Sequence, residues 1–257
     1  MTIKFIQINI YRGKYLDNLI EFLQKEDPDL ISMQEVCNGV LNLYPDKSAD
    51  LFLMIKQRLA MEGVFNGDLK VIDRQESSLG NAVFSKLAIV KSKVVILKNF
   101  RPITEDEFTD SKLWPDFSRQ ILDVLINVDG RIVHIISIHG AWTAPPIDTD
   151  EKLRQAQIIL DYLGDLNKNN QPFIVGADLN MPPETGVIQM INSVAQNLMI
   201  NSPFKYTTHP KIHKIVPTKL LVDYIFTSKH FKLLSLKVPQ VTVSDHLPVI
   251  AQLELLS

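Results

Sequence analysis

Apolar residues along this chain follow two rhythms. Segments 3–10, 29–34, 81–84, 88–97, 119–128, 131–139, 172–177, 223–227, 231–238 and 247–255 are short and rich in β-branched residues, and several alternate apolar with polar positions. A period of two is what a strand with one face in a core requires, so these segments predict strands. Between them Tyr15, Leu16, Leu19, Ile20 and Leu23 recur at helical spacing. So do Leu51, Met54, Ile55 and Leu59, and again Leu153, Ala156, Ile159, Leu160 and Leu163. Each set lines one face of a helix. Thr149, followed by Asp150 and Glu151, puts a capping hydroxyl and two acids at the start of the third helix. Asp129-Gly130 separates two strand patterns by two residues and predicts a tight hairpin.

Strands outnumber helices, no linker is rich in Pro, Gly or Ser, and no unit repeats along the chain. The expectation is one α/β domain over residues 1–257 with mixed sheets, not a regular βαβ series. Three stretches read as surface loops long enough to carry function. Residues 99–117 are acidic with Trp114, and residues 140–148 carry Trp142 and two prolines. Residues 202–219 hold Lys205, Lys211, Lys214, Lys219, Tyr206, His209 and His213 with no acid.

Composition narrows the class. With 46% hydrophobic and 22% charged residues, a sizeable core is available. A balance of 27 basic against 29 acidic side chains gives a formal charge of -2, which is no blanket electrostatic footprint for nucleic acid. Cys37 is the lone cysteine, which excludes an intrachain disulfide and a multi-cysteine zinc site and fits a reducing compartment. The first residues do not read as a secretion signal, and no apolar run approaches the roughly 18 residues that span a bilayer. A soluble, cytoplasmic monomer is expected.

The candidate chemistry sits where the strands stop. Gln7-Ile8-Asn9, Met33-Gln34-Glu35, Ser137-Ile138-His139 and Gly176-Ala177-Asp178-Leu179-Asn180 end four of them, and Ser244-Asp245-His246 directly precedes the last. Rigid strands that deliver carboxylates, amides and imidazoles to one edge can build a site. Together with Gly80-Asn81-Ala82-Val83-Phe84 and Val222-Asp223-Tyr224-Ile225-Phe226, these motifs run in order along nearly the whole chain. In this the sequence resembles the endonuclease/exonuclease/phosphatase superfamily, which holds exonuclease III-type and deoxyribonuclease I-like nucleases, inositol polyphosphate 5-phosphatases and neutral sphingomyelinases. The resemblance implies an α/β (α+β) fold, a four-layer sandwich of two mixed β-sheets packed face to face with helices outside.

It also implies roles. Cleaving a phosphate ester needs charge neutralisation, a positioned water and help for the leaving oxygen. Glu35 resembles the ligand of a divalent ion, Mg²⁺ or Mn²⁺, with Asn9 and Asp245 beside it; a hard ion of this kind takes one or two carboxylates and keeps water and substrate oxygens elsewhere. Asp178 resembles the residue that orients the attacking water, and Asn180 the one that holds phosphate or that aspartate. His246, with Asp223 as its carboxylate partner, resembles the imidazole that donates to a phosphoryl oxygen. His139 is similar to a second phosphate-facing histidine. Asn81 either contacts phosphate or braces the site, Arg119 either reaches phosphate or stays solvated, and Trp142 either stacks on substrate or pins its loop.

The expected activity is phosphodiester hydrolysis by in-line water attack, with DNA or RNA as substrate. A phosphomonoesterase or headgroup phosphodiesterase acting on a small or lipid phosphate is the alternative. Leu221-Val222-Asp223-Tyr224 replaces the Arg-Ile-Asp-Tyr run of abasic-site nucleases, and Met181-Pro182-Pro183 replaces the Asn/Tyr/Arg-rich segment of the inositol phosphatases. Both departures point away from those two branches.

Overall fold

The computed structural model describes residues 1–72, 77–215 and 218–256. In chain order the described residues form β1 (Thr2–Asn9), α1 (Leu16–Glu26), β2 (Leu30–Cys37), α2 (Leu51–Leu59), β3 (Glu62–Val71), β4 (Ser77–Ser85), β5 (Ile89–Lys98), β6 (Pro102–Ile103) and α3 (Glu105–Thr109). There follow β7 (Arg119–Val128), β8 (Arg131–His139), α4 (Asp150–Lys168), β9 (Phe173–Asp178), α5 (Gly186–Asn192), β10 (Gln196–Asn197), β11 (Asp223–Thr227), β12 (Phe231–Lys237) and β13 (Val249–Leu255). A seven-stranded sheet runs in the order β12-β13-β1-β2-β4-β3-β6 and a six-stranded sheet in the order β10-β11-β9-β8-β7-β5. Both are mixed, with β1–β2, β3–β6 and β8–β9 parallel.

Alternation along β1 explains how the layers stack. Ile3 and Phe5 enter the core shared with the second sheet, with Ile135, Ile174 and Ile225. Ile6 and Ile8, on the other face, meet Leu16, Leu19 and Leu23 of α1 and Leu51 and Ile55 of α2. The second sheet is covered in turn by Ala156, Ile159 and Leu163 of α4 and Val187, Ile188 and Ile191 of α5. The result is the helix–sheet–sheet–helix sandwich that the family resemblance implied. Each fully buried Ile, Leu or Phe here contributes about 1.5–3 kcal/mol. Exposed ion pairs such as Lys168–Asp165 are screened by solvent and add little, so apolar stacking holds the fold together.

The strands at 119–128, 131–139 and 223–227 and the helix at 51–59 fall where the pattern predicts. The Asp129-Gly130 turn joins β7 to β8 with both residues at positive φ, +50° and +84°. Thr149 caps α4 by accepting from the Lys152 N–H at 3.3 Å. β3, β6, β10, α3 and α5 have no counterpart in the sequence reading. α3 lies inside the stretch read as a loop and starts with a capping box of Thr104 and Glu107. The 202–219 stretch is irregular in its described part, bridging to His246 through Thr208; its residues 216 and 217 lie outside the described residues. No helix among the described residues is long and apolar enough to cross a membrane.

Candidate active site

At one end of the sandwich the core between the sheets turns polar. Gln7 and Gln34 exchange amide hydrogen bonds, and Gln34 also donates to Ser32 Oγ at 3.1 Å and Ser137 Oγ at 3.0 Å. Ser32 Oγ donates to the Gly176 carbonyl at 3.1 Å. Position 176 tolerates no side chain, because a Cβ there would stand 2.6 Å from both Gln7 Oε1 and Ser32 Cβ. A buried amide and hydroxyl network of this kind is costly to break and fixes one register between the sheets. Side chains beyond it stand on a rigid floor.

Strand register assembles half of the site. Asp223 on β11 pairs with Asp178 on β9, which pairs with His139 on β8. From the other sheet come Asn9, at the end of β1, and Glu35 on β2. The alternation that buries Ile31 and Met33 against α1 would aim Glu35 at the helices as well. A bulge prevents this: the β2–β4 register shifts between Met33 and Val36, and Glu35 takes φ +57°. Its Oε1 then accepts from Asn9 Nδ2 at 3.2 Å. Tyr11 (φ +49°), Arg12 (+50°) and Asn180 (+52°) also adopt left-handed backbone and also line the cleft. For a residue other than Gly or Asn this conformation costs roughly 1–2 kcal/mol, and such strain is characteristic of functional sites.

Asp178 is the hub. Its Oδ2 accepts from Asn9 Nδ2 at 3.0 Å and stands 3.7 Å from His246 Nε2 and 3.8 Å from His139 Nε2. Its Oδ1 accepts from the Asn180 N–H at 3.0 Å, an Asx turn at the strand exit. His246 Nδ1 lies 2.8 Å from Asp223 Oδ2, which leaves Nε2 facing Asp178. Asp223 is itself held, since its N–H and that of Val222 donate to Thr207 Oγ1, each at 3.0 Å. Ser244 Oγ donates to the Asn9 carbonyl at 2.6 Å and ties the Ser244-Asp245-His246 turn to β1.

The electrostatics divide these groups. Burial opposes charge on His246, but the Asp223 and Asp178 carboxylates outweigh it and hold its pKa well above the ordinary value. Burial and the Arg119 charge push His139 down to about 3, so its imidazole is neutral at physiological pH. Burial, reinforced by repulsion from Asp245, raises Glu35 against the pull of Arg12. Burial also works against a charged Asp245, yet His213 and His246 hold its carboxyl below the usual range. Two neighbouring carboxyls that repel one another are a donor set a hard divalent ion fits, so Glu35 and Asp245 would hold one.

Above these groups opens a cleft of about 770 Å³, part of it open to solvent. Among the described residues its arginines are Arg12 and Arg119, and its walls are Tyr11, Leu69, Leu79, Phe108, Trp114, Phe117, Trp142 and Ile215. Trp114 and Trp142 meet edge to face with centroids 4.9 Å apart, and Trp114 Nε1 donates to the Phe108 carbonyl at 2.8 Å. The Arg12 guanidinium lies 5.0 Å over the Phe108 ring. Arg119 is buried and donates through Nε to the Gly140 carbonyl at 3.1 Å and through Nη1 to Ser118 O at 3.0 Å. All three stretches read as loops contribute to the rim.

The structure brings Asn9, Glu35, Arg119, His139, Trp142, Asp178, Asn180, Asp245 and His246 together around this cleft, with Asp223 beneath His246. Asn81 does not reach it. It is buried on β4 and donates to the Gln120 carbonyl at 3.0 Å, which leaves it the bracing position of the two open to it. Asn9 turns its amide nitrogen to the Glu35 and Asp178 carboxyls while its Oδ1 accepts from the Tyr11 N–H at 3.0 Å. From the 202–219 stretch the cleft receives His213 and Ile215, whereas Lys205, Lys211, Lys214 and Lys219 are exposed away from its lining. Sequence reasoning passed over Arg12, Tyr11 and Phe108. The first two directly follow the polar end of β1, a signal within reach; Phe108 is brought in by a helix the pattern did not reveal.

The sequence profile of the Endonuclease/Exonuclease/phosphatase family matches residues 6–246. Against curated protein sequences the chain has no significant match. Among solved structures it is similar to an endonuclease/exonuclease/phosphatase from Bacteroides vulgatus, with 16% identity, 99% of each chain covered and a TM-score of 0.75. It is also similar to the human Nocturnin catalytic domain with bound sulfate anion, with 19% identity over 99% of this chain and 94% of that one and a TM-score of 0.73. A mannosyl-6-phosphatase from Bacteroides thetaiotaomicron shares 16% identity over 98% and 99% of the two chains, with a TM-score of 0.71. At such identities these structures show the fold alone.

Proposed function

This chain belongs to the endonuclease/exonuclease/phosphatase family of phosphoester hydrolases, and we propose that it is a Mg²⁺- or Mn²⁺-dependent hydrolase of small organic phosphate esters that works by in-line attack of water. One observation carries the reading: a carboxylate with donors on both oxygens, Asp178, shares one cleft with a tethered histidine, His246, and two further carboxyls, Glu35 and Asp245. A divalent ion held by Glu35 and Asp245 would supply charge neutralisation for the phosphoryl oxygens. Asp178, fixed by Asn9 and Asn180, accepts a proton from water and so orients it for attack. His246 Nε2, its tautomer set by Asp223, donates to a phosphoryl oxygen. His139, neutral, adds a hydrogen bond, and Arg119 adds fixed positive charge.

The preference for a small ester rests on the walls. Aromatic and aliphatic side chains close the cleft, and among the described residues its lining cations are two arginines and His246. A polymer calls for a longer cationic track than that. The neighbouring mannosyl-6-phosphatase, by its name, acts on a small phosphate. The second reading, a nuclease on DNA or RNA, is favoured by the exposed lysines of residues 202–219, the stretch whose His213 and Ile215 reach the rim.

A substrate panel decides. Phosphorylated sugars, nucleotides, inositol phosphates and phospholipids are offered beside single- and double-stranded DNA and RNA, each with metal and with chelator. Metal-dependent release of phosphate or headgroup from a small ester, with the polymers intact, is expected. Cleavage of polymers alone would transfer the assignment to the second reading. Absence of metal-dependent hydrolysis across the whole panel sinks both.

A further inference from the structure

The 202–219 stretch brings one ionisable side chain to the cleft that hydrolysis does not use. His213 has a side chain only 10% exposed, and its buried Nδ1 has no partner at hydrogen-bond geometry among the described residues. That nitrogen stands 3.5 Å from Asp245 Oδ2. A hydrogen bond between a charged ring nitrogen and a carboxylate closes to about 2.7–2.9 Å. The wider spacing suits two ligands of one ion, because tetrahedral bonds of about 2.0–2.1 Å put neighbouring donors roughly 3.4 Å apart. His246 is the third donor. With Nδ1 committed to Asp223 its Nε2 is the free nitrogen, and its ring stands at 89° to that of His213, with centroids 5.7 Å apart. A carboxylate behind a histidine is the usual support of a metal-ligating imidazole. Main-chain bonds fix this part of the loop against the Asp245-His246 turn: the His209 N–H donates to the Asp245 carbonyl at 2.7 Å, and the His213 N–H to the His209 carbonyl at 3.0 Å.

We infer that His213, Asp245 and His246, whose donor atoms lie within 4.8 Å of one another, form a binding site for a zinc-class divalent ion. Two imidazoles and one carboxylate suit Mg²⁺ poorly, since it takes oxygen ligands. They are a set that holds Zn²⁺ or Co²⁺ with a further position open. Asp245 is common to this site and to the hard-ion position at Glu35. The remaining donors differ in kind, so the two positions select different metals. One nitrogen cannot serve an ion and a phosphoryl oxygen at once, so an ion here excludes the phosphate contact of His246. The inference stands on geometry and does not require the hydrolase reading.

The test titrates chelator-treated full-length protein with Co²⁺ and follows its visible absorption, then displaces the ion with Zn²⁺. Wild type is expected to show the intense bands of low-coordinate, nitrogen-ligated Co²⁺ at one equivalent. His213→Ala should weaken the affinity at least ~10-fold, as loss of even a supporting group does. Glu35→Gln should titrate as wild type, although the hydrolase reading has it lose Mg²⁺-driven turnover, so the two ideas fail separately. A His213→Ala titration identical to wild type overturns the site, as does a signal lost in Glu35→Gln and kept in His213→Ala. X-ray absorption on Zn²⁺-loaded wild type decides without any variant: two imidazoles in the coordination shell are expected, and one or none overturns the proposal.

Discussion

Two buried histidine–aspartate pairs at hydrogen-bond distance involve the six-stranded sheet among the described residues, and they differ in where the second ring nitrogen goes. His246 Nδ1 lies 2.8 Å from Asp223 Oδ2, and its Nε2 enters the cleft 3.7 Å from Asp178. His134 Nδ1 lies 2.7 Å from Asp123 Oδ2, but its Nε2 is buried without a partner. Asp123 also accepts from the Tyr162 hydroxyl of α4, and Lys93 of β5 stands 3.7 Å from the same oxygen. Strand parity makes the difference. On β8, Ser137 and His139 share the face toward the other sheet, while His134 falls on the opposite face, under α4. The pairing motif by itself is structural; a cleft on the far side of the ring turns it into chemistry.

The largest contrast expected is catalytic. His246→Ala should lower kcat about 10²–10⁴-fold, the range for a positioned proton donor. His134→Ala should stay within a few-fold in the same steady-state assay with saturating metal. Comparable losses would erase the distinction drawn between the pairs. The converse is thermodynamic. Asp123→Ala strands the Tyr162 hydroxyl and His134 and should cost about 2–3 kcal/mol in urea unfolding, as leaving buried hydrogen-bonding groups without their acceptor does. Its kcat should remain near wild type; a stable variant, or one that loses turnover, would speak against a purely structural role.

The same parity shows how far the sequence could be read. Gln7-Ile8-Asn9 and Ser137-Ile138-His139 announce their faces by simple alternation, and the structure puts Asn9 and His139 in one cleft. Glu35 was legible as a residue and illegible as a direction, because it reaches Asn9 only through a bulge that shifts the β2–β4 register. His213 lies 32 positions before Asp245, and no local pattern announces their approach. β3 was missed because Glu62–Val71 mixes glycines, an asparagine and charges into a half-exposed strand. Propensity gave way there to a pairing with β4 that runs from Glu62 to Val71 with one register shift between Gly67 and Leu69.

A smaller effect sharpens the comparison through pH. His246 has a folded pKa raised above its unfolded value, so its contribution to stability is complete below about pH 6.5 and is lost as pH rises through the folded pKa. Asp223→Asn removes the main stabiliser of the imidazolium. It should flatten that alkaline loss in chelator-treated protein, move the alkaline limb of the rate profile to lower pH, and cost about 10–100-fold in rate. His139 has the opposite sign. With its folded pKa depressed to about 3, the neutral ring is favoured, and stability falls as acidification proceeds from about pH 6.5 toward 3. His139→Asn, which takes no proton, should lose less stability over that window in acid unfolding curves. An unchanged acid limb would mean that another group controls it.

The smallest effect expected tests the cleft wall that the His134 pair lacks. Trp142 stands edge to face against Trp114 at the rim, so a substrate extending from the phosphate would lie along it. Replacing it by leucine keeps an apolar surface but removes the ring face, a contribution of about 1 kcal/mol, which corresponds to roughly a fivefold rise in KM. Contact made equally in ground and transition states alters KM and leaves kcat alone. The measurement therefore compares two esters on Trp142→Leu: one with an aromatic group beside the phosphate, one with glycerol. KM should rise for the aromatic ester only. A rise shared by both esters would assign Trp142 to holding its loop against Trp114, and a fall in kcat would place it nearer the reacting phosphate than the cleft geometry puts it.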